Sequence, residues 1–233
     1  MQIAGIKKTT LLDYPWKLAT IIFTPGCNLR CGFCHNPEFV LPEKVASIQH
    51  DLISEDAFFR FLHSRKSTLD GVVICGWEPT LQHDLIDFIR RIKSLGFLVK
   101  LDTNGSRPDV IQNLLEDQLI DALAMDIKDA PSHYHRLTHA NIPWWKYEQS
   151  ISLILKSNIM YEFRTTCIRG FHTHDDFHKI GRAIVWAKKY FLQNYQPHHT
   201  LEPDFSWKSF PHDELLEIQQ IMHSYVAQCS LRI

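Results

Sequence analysis

Three cysteines, Cys27, Cys31 and Cys34, stand close together in the segment FTPGCNLRCGFCHNPE. Thiolates are soft ligands that suit iron–sulfur clusters, zinc or copper. A structural zinc ion takes a fourth ligand, which His35 could supply because it directly follows Cys34. A cubane cluster with three protein thiolates keeps one iron without a protein ligand, and that iron can bind a substrate. The residue types alone leave open an iron–sulfur cluster, a zinc ion with His35, or no metal.

The segments that would position these thiols alternate between two patterns. Short apolar runs predict strands at residues 18–23, 71–75, 97–101, 120–125, 160–167 and 190–195. Amphipathic stretches between and after them predict helices at residues 54–63, 84–95, 108–115, 147–156, 175–188 and 213–225. This alternation implies right-handed βαβ units and a parallel sheet. Because the units are too few for a closed eightfold barrel, we predict an open, partial barrel or a doubly wound sheet, in one domain over residues 1–233.

Unusual polar residues collect just after the predicted strands. The segments concerned are residues 24–34, 76–80, 102–105 and 126–128, together with the strand that contains Arg164. In α/β folds with parallel strands, ligands bind at the C-terminal ends of the strands. We therefore expect these segments to form one site.

Other metal-binding residue types stand outside these segments or alone. We interpret three single cysteines as small buried hydrophobic residues: Cys75, Cys167 and Cys229. Two groups of histidines have spacings that could bind metal, but neither lies in a strand-end motif. We interpret these as surface residues: His133, His135 and His139, and His172, His174 and His178.

The overall charge of the chain excludes several classes of partner. The formal net charge is −1, so no overall field attracts nucleic acid or anionic lipid. No apolar run approaches the roughly 18 residues that a membrane span needs. The opening segment MQIAGIKKTTLLDYP lacks the apolar core of a secretory signal. We therefore expect a cytoplasmic protein that binds neither nucleic acid nor a membrane and has no disulfide framework.

The cysteine motif and the later strand ends together resemble one family. Cys-x3-Cys-x-aromatic-Cys, with Phe33 as the aromatic residue, resembles the signature of the radical S-adenosylmethionine (SAM) superfamily. CGWEPT resembles its Gly-Gly-Glu-Pro motif, and LDTNG and MDIKD resemble later motifs of its glycyl-radical-activating branch. The opening segment through HNPE, with YEFRTTCIRG and LQNYQP, is similar to anaerobic ribonucleoside-triphosphate reductase activating proteins over nearly the whole chain. The resemblance implies an α/β fold, a partial (β/α)6 barrel of the radical SAM type with parallel strands, and it favours a cluster over zinc.

The resemblance implies catalytic and cofactor-binding roles for the matching residues. Cys27, Cys31 and Cys34 would hold a 4Fe–4S cluster, and the backbone of Phe33 would contact the adenine of SAM. The cluster would cleave SAM reductively to a 5′-deoxyadenosyl radical, while the protein orients SAM and excludes water.

The later motifs would bind the rest of SAM. The methionine moiety would be lined by Gly76, Trp77 and Glu78, with the Glu78 carboxylate facing the SAM ammonium. Asn104 and Arg164 would contact the nucleoside and the carboxylate of SAM.

Four further residues would bind charged groups. Lys128 would pair with the carboxylate of SAM. Asp102, Thr103 and Asp126 match the pattern that binds a monovalent cation in pyruvate formate-lyase activating enzymes.

Two tryptophans stand where the family usually has glycine. Trp16 follows Asp13-Tyr14-Pro15, and Trp77 follows Gly76. Glycine beside a ligand generally serves close backbone approach or positive φ. We therefore expect the replacement at position 77 to matter more, either by crowding the SAM site or by packing into the wall behind it.

The resemblance implies one function and leaves two alternatives. The first is activation of a glycyl-radical enzyme, an anaerobic ribonucleotide reductase, with flavodoxin or ferredoxin as the reductant. The second is radical SAM chemistry on a small molecule, as in the deazapurine-forming synthases. The third is a non-catalytic protein that binds a cluster or SAM.

Overall fold

The computed structural model describes residues 1–34, 37–47, 49–197, 200–202 and 207–232. Within these residues eight strands form one sheet, and each strand pairs with the next along the chain. They are β1 (Gly5–Thr10), β2 (Ala19–Thr24), β3 (Gly71–Gly76), β4 (Leu98–Thr103), β5 (Ala122–Asp126), β6 (Met160–Cys167), β7 (Tyr190–Asn194) and β8 (Cys229–Arg232). β1 is antiparallel to β2, and every later pair is parallel.

Helices connect the consecutive parallel strands. In the described residues they are α1 (Pro42–Ser47), α2 (Glu55–Ser64), α3 (Leu85–Ser94), α4 (Pro108–Glu116), α5 (Tyr134–Thr138), α6 (Trp144–Lys156), α7 (His174–Ala183) and α8 (His212–Met222). Local capping starts two of them: Ser54 accepts a hydrogen bond from the Ala57 backbone at α2, and Thr173 and Asp176 form a reciprocal capping box at α7. No described helix is long and apolar enough to cross a membrane.

The predicted α/β partial barrel with parallel strands is confirmed. All six predicted strands form, and their ends shift by at most two residues. The parallel part of the sheet nevertheless has a seventh strand, β8, and β1 adds an antiparallel edge. Both escaped prediction because β8 has only four residues and β1 carries the exposed Lys7 and Lys8. The short helices α1 and α5 were also missed, and the helix predicted at 175–188 ends at Ala183.

The two faces of the sheet have different surroundings. Side chains alternate along a strand, so Val99 and Leu101 of β4 pack under the helices in the large outer core. Lys100 and Asp102 of the same strand are also buried, but they point into the barrel lumen and pair with each other. The lumen is apolar near the start of the strands, where Tyr14 packs in a small cluster with Ala19, Ile21, Val73 and Ala122. The lumen is therefore apolar at its base and charged towards the C-terminal strand ends.

Of the two tryptophans that stand in place of a glycine, Trp16 is the one with a strained backbone. It lies in the connection between β1 and β2. Its φ is +63° and its side chain is 92% exposed. Trp77 is not among the described non-glycine residues with positive φ. The expectation that position 77 carries the greater cost is therefore wrong for the backbone, because the left-handed conformation lies in the exposed turn instead.

We predict that Trp16→Gly is more stable than Trp16→Ala by about 1 kcal/mol, because only a residue without Cβ adopts positive φ without strain. Most exposed positions show the opposite order, since glycine loses more backbone entropy on folding. Urea unfolding of both variants measures the difference. An alanine variant as stable as the glycine variant would contradict the strain at Trp16.

Candidate functional site

A cavity of about 270 Å³ lies at the C-terminal ends of the strands. It brings together the ends of four consecutive strands, β2 to β5, with the segments that follow them, and Arg164 within β6. Twelve of the thirteen site residues expected from the sequence line it: Cys27, Cys31, Phe33, Cys34, Gly76, Trp77, Asp102, Thr103, Asn104, Asp126, Lys128 and Arg164. Glu78 does not line it. The wall also contains four residues that the sequence did not indicate: Phe23, Leu29, Val40 and Cys75.

The cysteine loop, residues 25–34, contains no helix or strand, and hydrogen bonds to its backbone hold it in place. The guanidinium of Arg30 donates to the carbonyls of Cys27 and Leu29 at 2.6 and 2.8 Å. The Arg30 backbone N–H donates to the carbonyl of Thr138, 2.7 Å away. The carbonyls thus turn to the arginine while the three thiols face the cavity. His35, the proposed fourth zinc ligand, lies outside the described residues.

Burial keeps two of these thiols protonated in the metal-free chain. It raises the pKa of Cys27 to about 11 and that of Cys31 to about 12. The Lys128 ammonium opposes this rise at both thiols but does not cancel it. Metals bind cysteine as the thiolate. A strongly positive metal centre that binds here must therefore displace the protons of these thiols. Three cysteines on one cavity wall are a ligand set that would hold a 4Fe–4S cluster. The described residues contain no group of three His, Cys, Asp or Glu side chains that could hold a single metal ion.

A segment near the end of the chain covers the cysteine loop. The backbone N–H groups of Leu201 and Glu202 donate to the carbonyls of Cys34 and Gly32 at 3.0 and 3.1 Å. The indole of Trp207 packs against Phe33, with ring centres 5.9 Å apart. Nothing in the local sequence indicated these contacts, because they join residues that are more than 160 positions apart.

The end of β3 approaches β2 too closely for any side chain at position 76. Gly76 has φ +121°, and a Cβ there would overlap the backbone of Thr24. The next residue, Trp77, stacks its indole on Phe39 with ring centres 4.5 Å apart and donates its backbone N–H to the Thr24 carbonyl. The glycine requirement of the motif therefore lies at Gly76, and the indole packs with Phe39 in the cavity wall.

Glu78 lies behind the cavity, where four donors surround its carboxylate. One oxygen accepts from the Thr80 backbone N–H at 3.1 Å and from the hydroxyls of Thr80 and Thr103 at 2.5 and 2.8 Å. The other accepts from the Asn104 backbone N–H at 2.6 Å. Burial raises the pKa of Glu78, and these donors oppose the rise. The expected contact with the SAM ammonium does not fit this placement, because the side chain is fully buried and both oxygens are engaged.

Asn104 continues the same network to the cysteine loop. Its amide nitrogen donates to the Asn28 side-chain oxygen at 2.9 Å, and Asn28 donates to the Ser106 hydroxyl at 2.8 Å. Glu78 and Asn104 therefore connect the loops after β2, β3 and β4.

The three residues expected to bind a monovalent cation are already paired. Arg164 donates to Asp102 and to Asp126, each at 2.8 Å, and the Thr103 hydroxyl donates to Glu78. Burial alone would raise the pKa of both aspartates, but their cationic neighbours lower it below the usual range. Lys128 donates to Asp126 at 2.8 Å and remains 15% exposed in the cavity wall.

His172 is a buried support of the site, and its interpretation as a surface residue is wrong. It is 4% exposed. Its Nδ1 accepts from the Ile168 backbone N–H at 3.1 Å, so Nε2 carries the proton and donates to the Lys128 carbonyl at 3.1 Å. The ring is therefore neutral, and it fixes the backbone of the residue whose ammonium faces the cavity.

We predict that Glu78→Gln destabilises the SAM-free protein by about 2 kcal/mol, because an amide NH₂ leaves a buried N–H donor without an acceptor. Thermal or urea unfolding measures the loss. Glu116→Gln, on the exposed side of α4, is the control and should be neutral. Unchanged stability of Glu78→Gln with weakened SAM binding would instead make Glu78 a direct ligand.

We predict that His172 makes the protein less stable as the pH falls below about 6.5. Burial lowers the pKa of His172 in spite of Asp129 and Asp176, and Arg136 adds to the lowering. Between that lowered pKa and about 6.5 the unfolded chain therefore binds more protons than the folded one. The free energy of unfolding decreases by up to about 1.4 kcal/mol for each unit by which the pH is lowered in this range. His172→Gln should flatten this slope in urea unfolding, whereas His174→Gln, exposed on α7, should keep it. An unaltered slope in the His172 variant would contradict the neutral buried ring.

Comparison with known proteins identifies a family. Residues 21–183 match the Radical SAM superfamily. MJ1227 of Methanocaldococcus jannaschii, provisionally named a glycyl-radical enzyme activating enzyme, is 31% identical over 99% of this chain and 95% of its own length. Pyruvate formate-lyase 1-activating enzyme of Escherichia coli K12 is 30% identical over 69% of this chain and 66% of its own length.

Solved structures share the fold at low sequence identity. The match to Streptococcus suis SuiB bound to S-adenosylmethionine covers 91% of this chain and 52% of the SuiB chain, with a TM-score of 0.66 and 13% sequence identity. TYW1 with a lysine-pyruvate adduct covers 88% and 73%, with a TM-score of 0.54 and 23% identity.

Proposed function

Because this chain belongs to the radical SAM superfamily, which implies a 4Fe–4S cluster and SAM as cofactors, we propose that it activates a glycyl-radical enzyme, an anaerobic ribonucleotide reductase. The convergence of three thiols with Lys128 in one cavity is the observation that carries this function. Similarity to MJ1227 over 99% of the chain and to pyruvate formate-lyase 1-activating enzyme over 69% supports the class of reaction. The resemblance of the sequence motifs supports the choice of the reductase as partner.

The cysteine loop and the cofactors divide the chemistry between them. A cluster bound by Cys27, Cys31 and Cys34 would supply the electron that cleaves the S–C5′ bond of SAM to methionine and a 5′-deoxyadenosyl radical. That radical would take a hydrogen atom from a glycine of the partner and become 5′-deoxyadenosine. The chain itself binds and orients SAM. Lys128 offers an ammonium to the carboxylate of SAM, and the backbone at Phe33 and Gly76 borders the adenine and methionine ends.

The cavity wall also has to keep water away from a reactive radical. The stacked pair of Trp77 and Phe39 and the side chains of Leu29 and Val40 provide apolar surface for this task. β1 and β8 remain the two edges of the described sheet. We propose that a peptide loop of the partner enters through the gap between these two edges and completes the exclusion of water.

We predict that the anaerobically reconstituted, reduced protein with SAM produces a glycyl-radical doublet on the cognate reductase. Electron paramagnetic resonance measures the doublet, with flavodoxin or ferredoxin as the reductant. The signal should disappear when the C-terminal glycine of the reductase is replaced by alanine, because the abstracted hydrogen belongs to that residue. Competent SAM cleavage without a doublet would contradict the activase function and favour a small-molecule substrate.

Two cysteine variants separate cluster binding from general folding. Cys34→Ala should lose the cluster and the doublet, because it removes one of three ligands. Cys229→Ala is the matched control, since its thiol is buried in the outer core away from the cavity. It should keep about four irons and four sulfides per chain. Loss of the cluster in both variants would indicate unfolding rather than ligation.

A further inference from the structure

We infer that Arg164 is a built-in cation of the SAM site, a positioning residue that joins Asp102 to Asp126 and makes SAM binding independent of Na⁺ and K⁺. SAM binding itself belongs to the proposed function. The evidence for the role of Arg164 is the arrangement of the charged side chains in the lumen.

The guanidinium of Arg164 spans the two aspartates. Its Nη1 donates to Asp102 Oδ2 and its Nε donates to Asp126 Oδ1, both at 2.8 Å. Arg164 on β6 stands opposite Asp126 on β5 in the sheet register. Asp102 on β4 stands opposite Ala124, whose methyl group is small enough for the guanidinium to reach across β5. A planar guanidinium with several donors suits two carboxylates at once.

The remaining oxygens of both aspartates are paired as well. Lys100 donates to Asp102 Oδ1 at 2.5 Å, and Lys128 donates to Asp126 Oδ2 at 2.8 Å. A hard cation binds through oxygen ligands, and here every carboxylate oxygen of the pair already accepts from a cationic side chain. A metal ion at this place would also face three positive groups at close range.

The third oxygen of the expected cation site points elsewhere. The Thr103 hydroxyl donates to Glu78 at 2.8 Å and accepts from the Gly105 backbone N–H at 3.1 Å. Its proton and one of its two lone pairs are therefore engaged away from the two aspartates. The three side chains that match a cation-binding pattern in sequence do not fit a cation in this arrangement.

The lumen presents a cation to the cavity, which suits an anion rather than a second cation. At the end of the edge strand β8, the partly exposed Arg232 forms two hydrogen bonds with Glu162 at 3.1 and 3.0 Å. Together with the two aspartates and the three cations that pair with them, these residues carry four positive and three negative charges, and the Glu78 carboxylate bonded to Thr103 adds a fourth negative charge. The carboxylate of SAM needs a positive charge at the cavity wall. Lys128 presents it, because that ammonium is partly exposed in the cavity wall.

The test compares salts on the cluster-loaded wild-type protein. Equilibrium dialysis measures the SAM dissociation constant in KCl, NaCl and tetramethylammonium chloride at equal concentration, and thermal unfolding is measured in the same salts without SAM. We expect dissociation constants that agree within about twofold and equal melting temperatures, because a required ion would otherwise stabilise the folded state by mass action. An affinity about tenfold higher in KCl or NaCl, or a melting temperature raised only by those salts, would overturn the inference.

Two variants sharpen the comparison. Arg164→Met leaves one oxygen on each aspartate without its donor, so we expect its melting temperature to gain a dependence on Na⁺ or K⁺ over tetramethylammonium. Arg169→Met is the control, because it removes a guanidinium that pairs with the partly exposed Glu214 and does not line the cavity. It should show no such dependence. A folded Arg164→Met variant that responds equally to all three salts would contradict the role of Arg164.

The readouts separate this inference from the proposed function. If SAM fails to bind in every salt, the proposed function is contradicted, while the melting temperatures still test the role of Arg164. If Arg164→Met does not fold, the wild-type comparison decides alone.

Discussion

The carboxylate of Glu78 is the junction on which the geometry of the site depends. It accepts hydrogen bonds from the loop after β3, through Thr80, and from the end of β4, through Thr103 and Asn104. Asn104 then reaches Asn28 in the cysteine loop. A buried carboxylate is costly unless donors surround it, so the loops are held in the one arrangement that supplies those donors. The thiols and strand ends keep their relative positions because of this shared requirement.

The lumen of the partial barrel shows how a parallel sheet can bury charges. Alternation along each strand sends Lys100 and Asp102 of β4, and Glu162 and Arg164 of β6, to the inner face. Each buried charge meets an opposite one on its own or a nearby strand, which offsets the loss of water. The outer face of the same strands remains apolar and packs under the helices. One sheet thus combines a hydrophobic core with a charged pocket.

Much of the fold and most of the cavity wall could be predicted from the sequence. Apolar runs identify strands that are buried on both faces, and motifs at their ends indicate the residues that line the cavity. The orientation of Glu78 could not be predicted, because its donors come partly from another strand. His172 looked like a surface residue, since its partners, Ile168 and the Lys128 carbonyl, are backbone groups without a sequence signal. The φ of Trp16 depends on a turn that adjoins the missed strand β1.

The contacts that cover the cysteine loop also set an order of events during synthesis. Cys34 leaves the ribosome about 170 residues before Trp207, and at about 5–20 residues per second the interval lasts some tens of seconds or less. For the first part of that interval the loop lacks Thr138, and to its end it lacks at least Trp207; both hold it in the finished fold, as do Leu201 and Glu202. The nascent chain therefore exposes three thiols before it has a shaped pocket for them. A cluster that needs the finished pocket would therefore be inserted after translation, and earlier oxidation of these thiols would compete with that insertion.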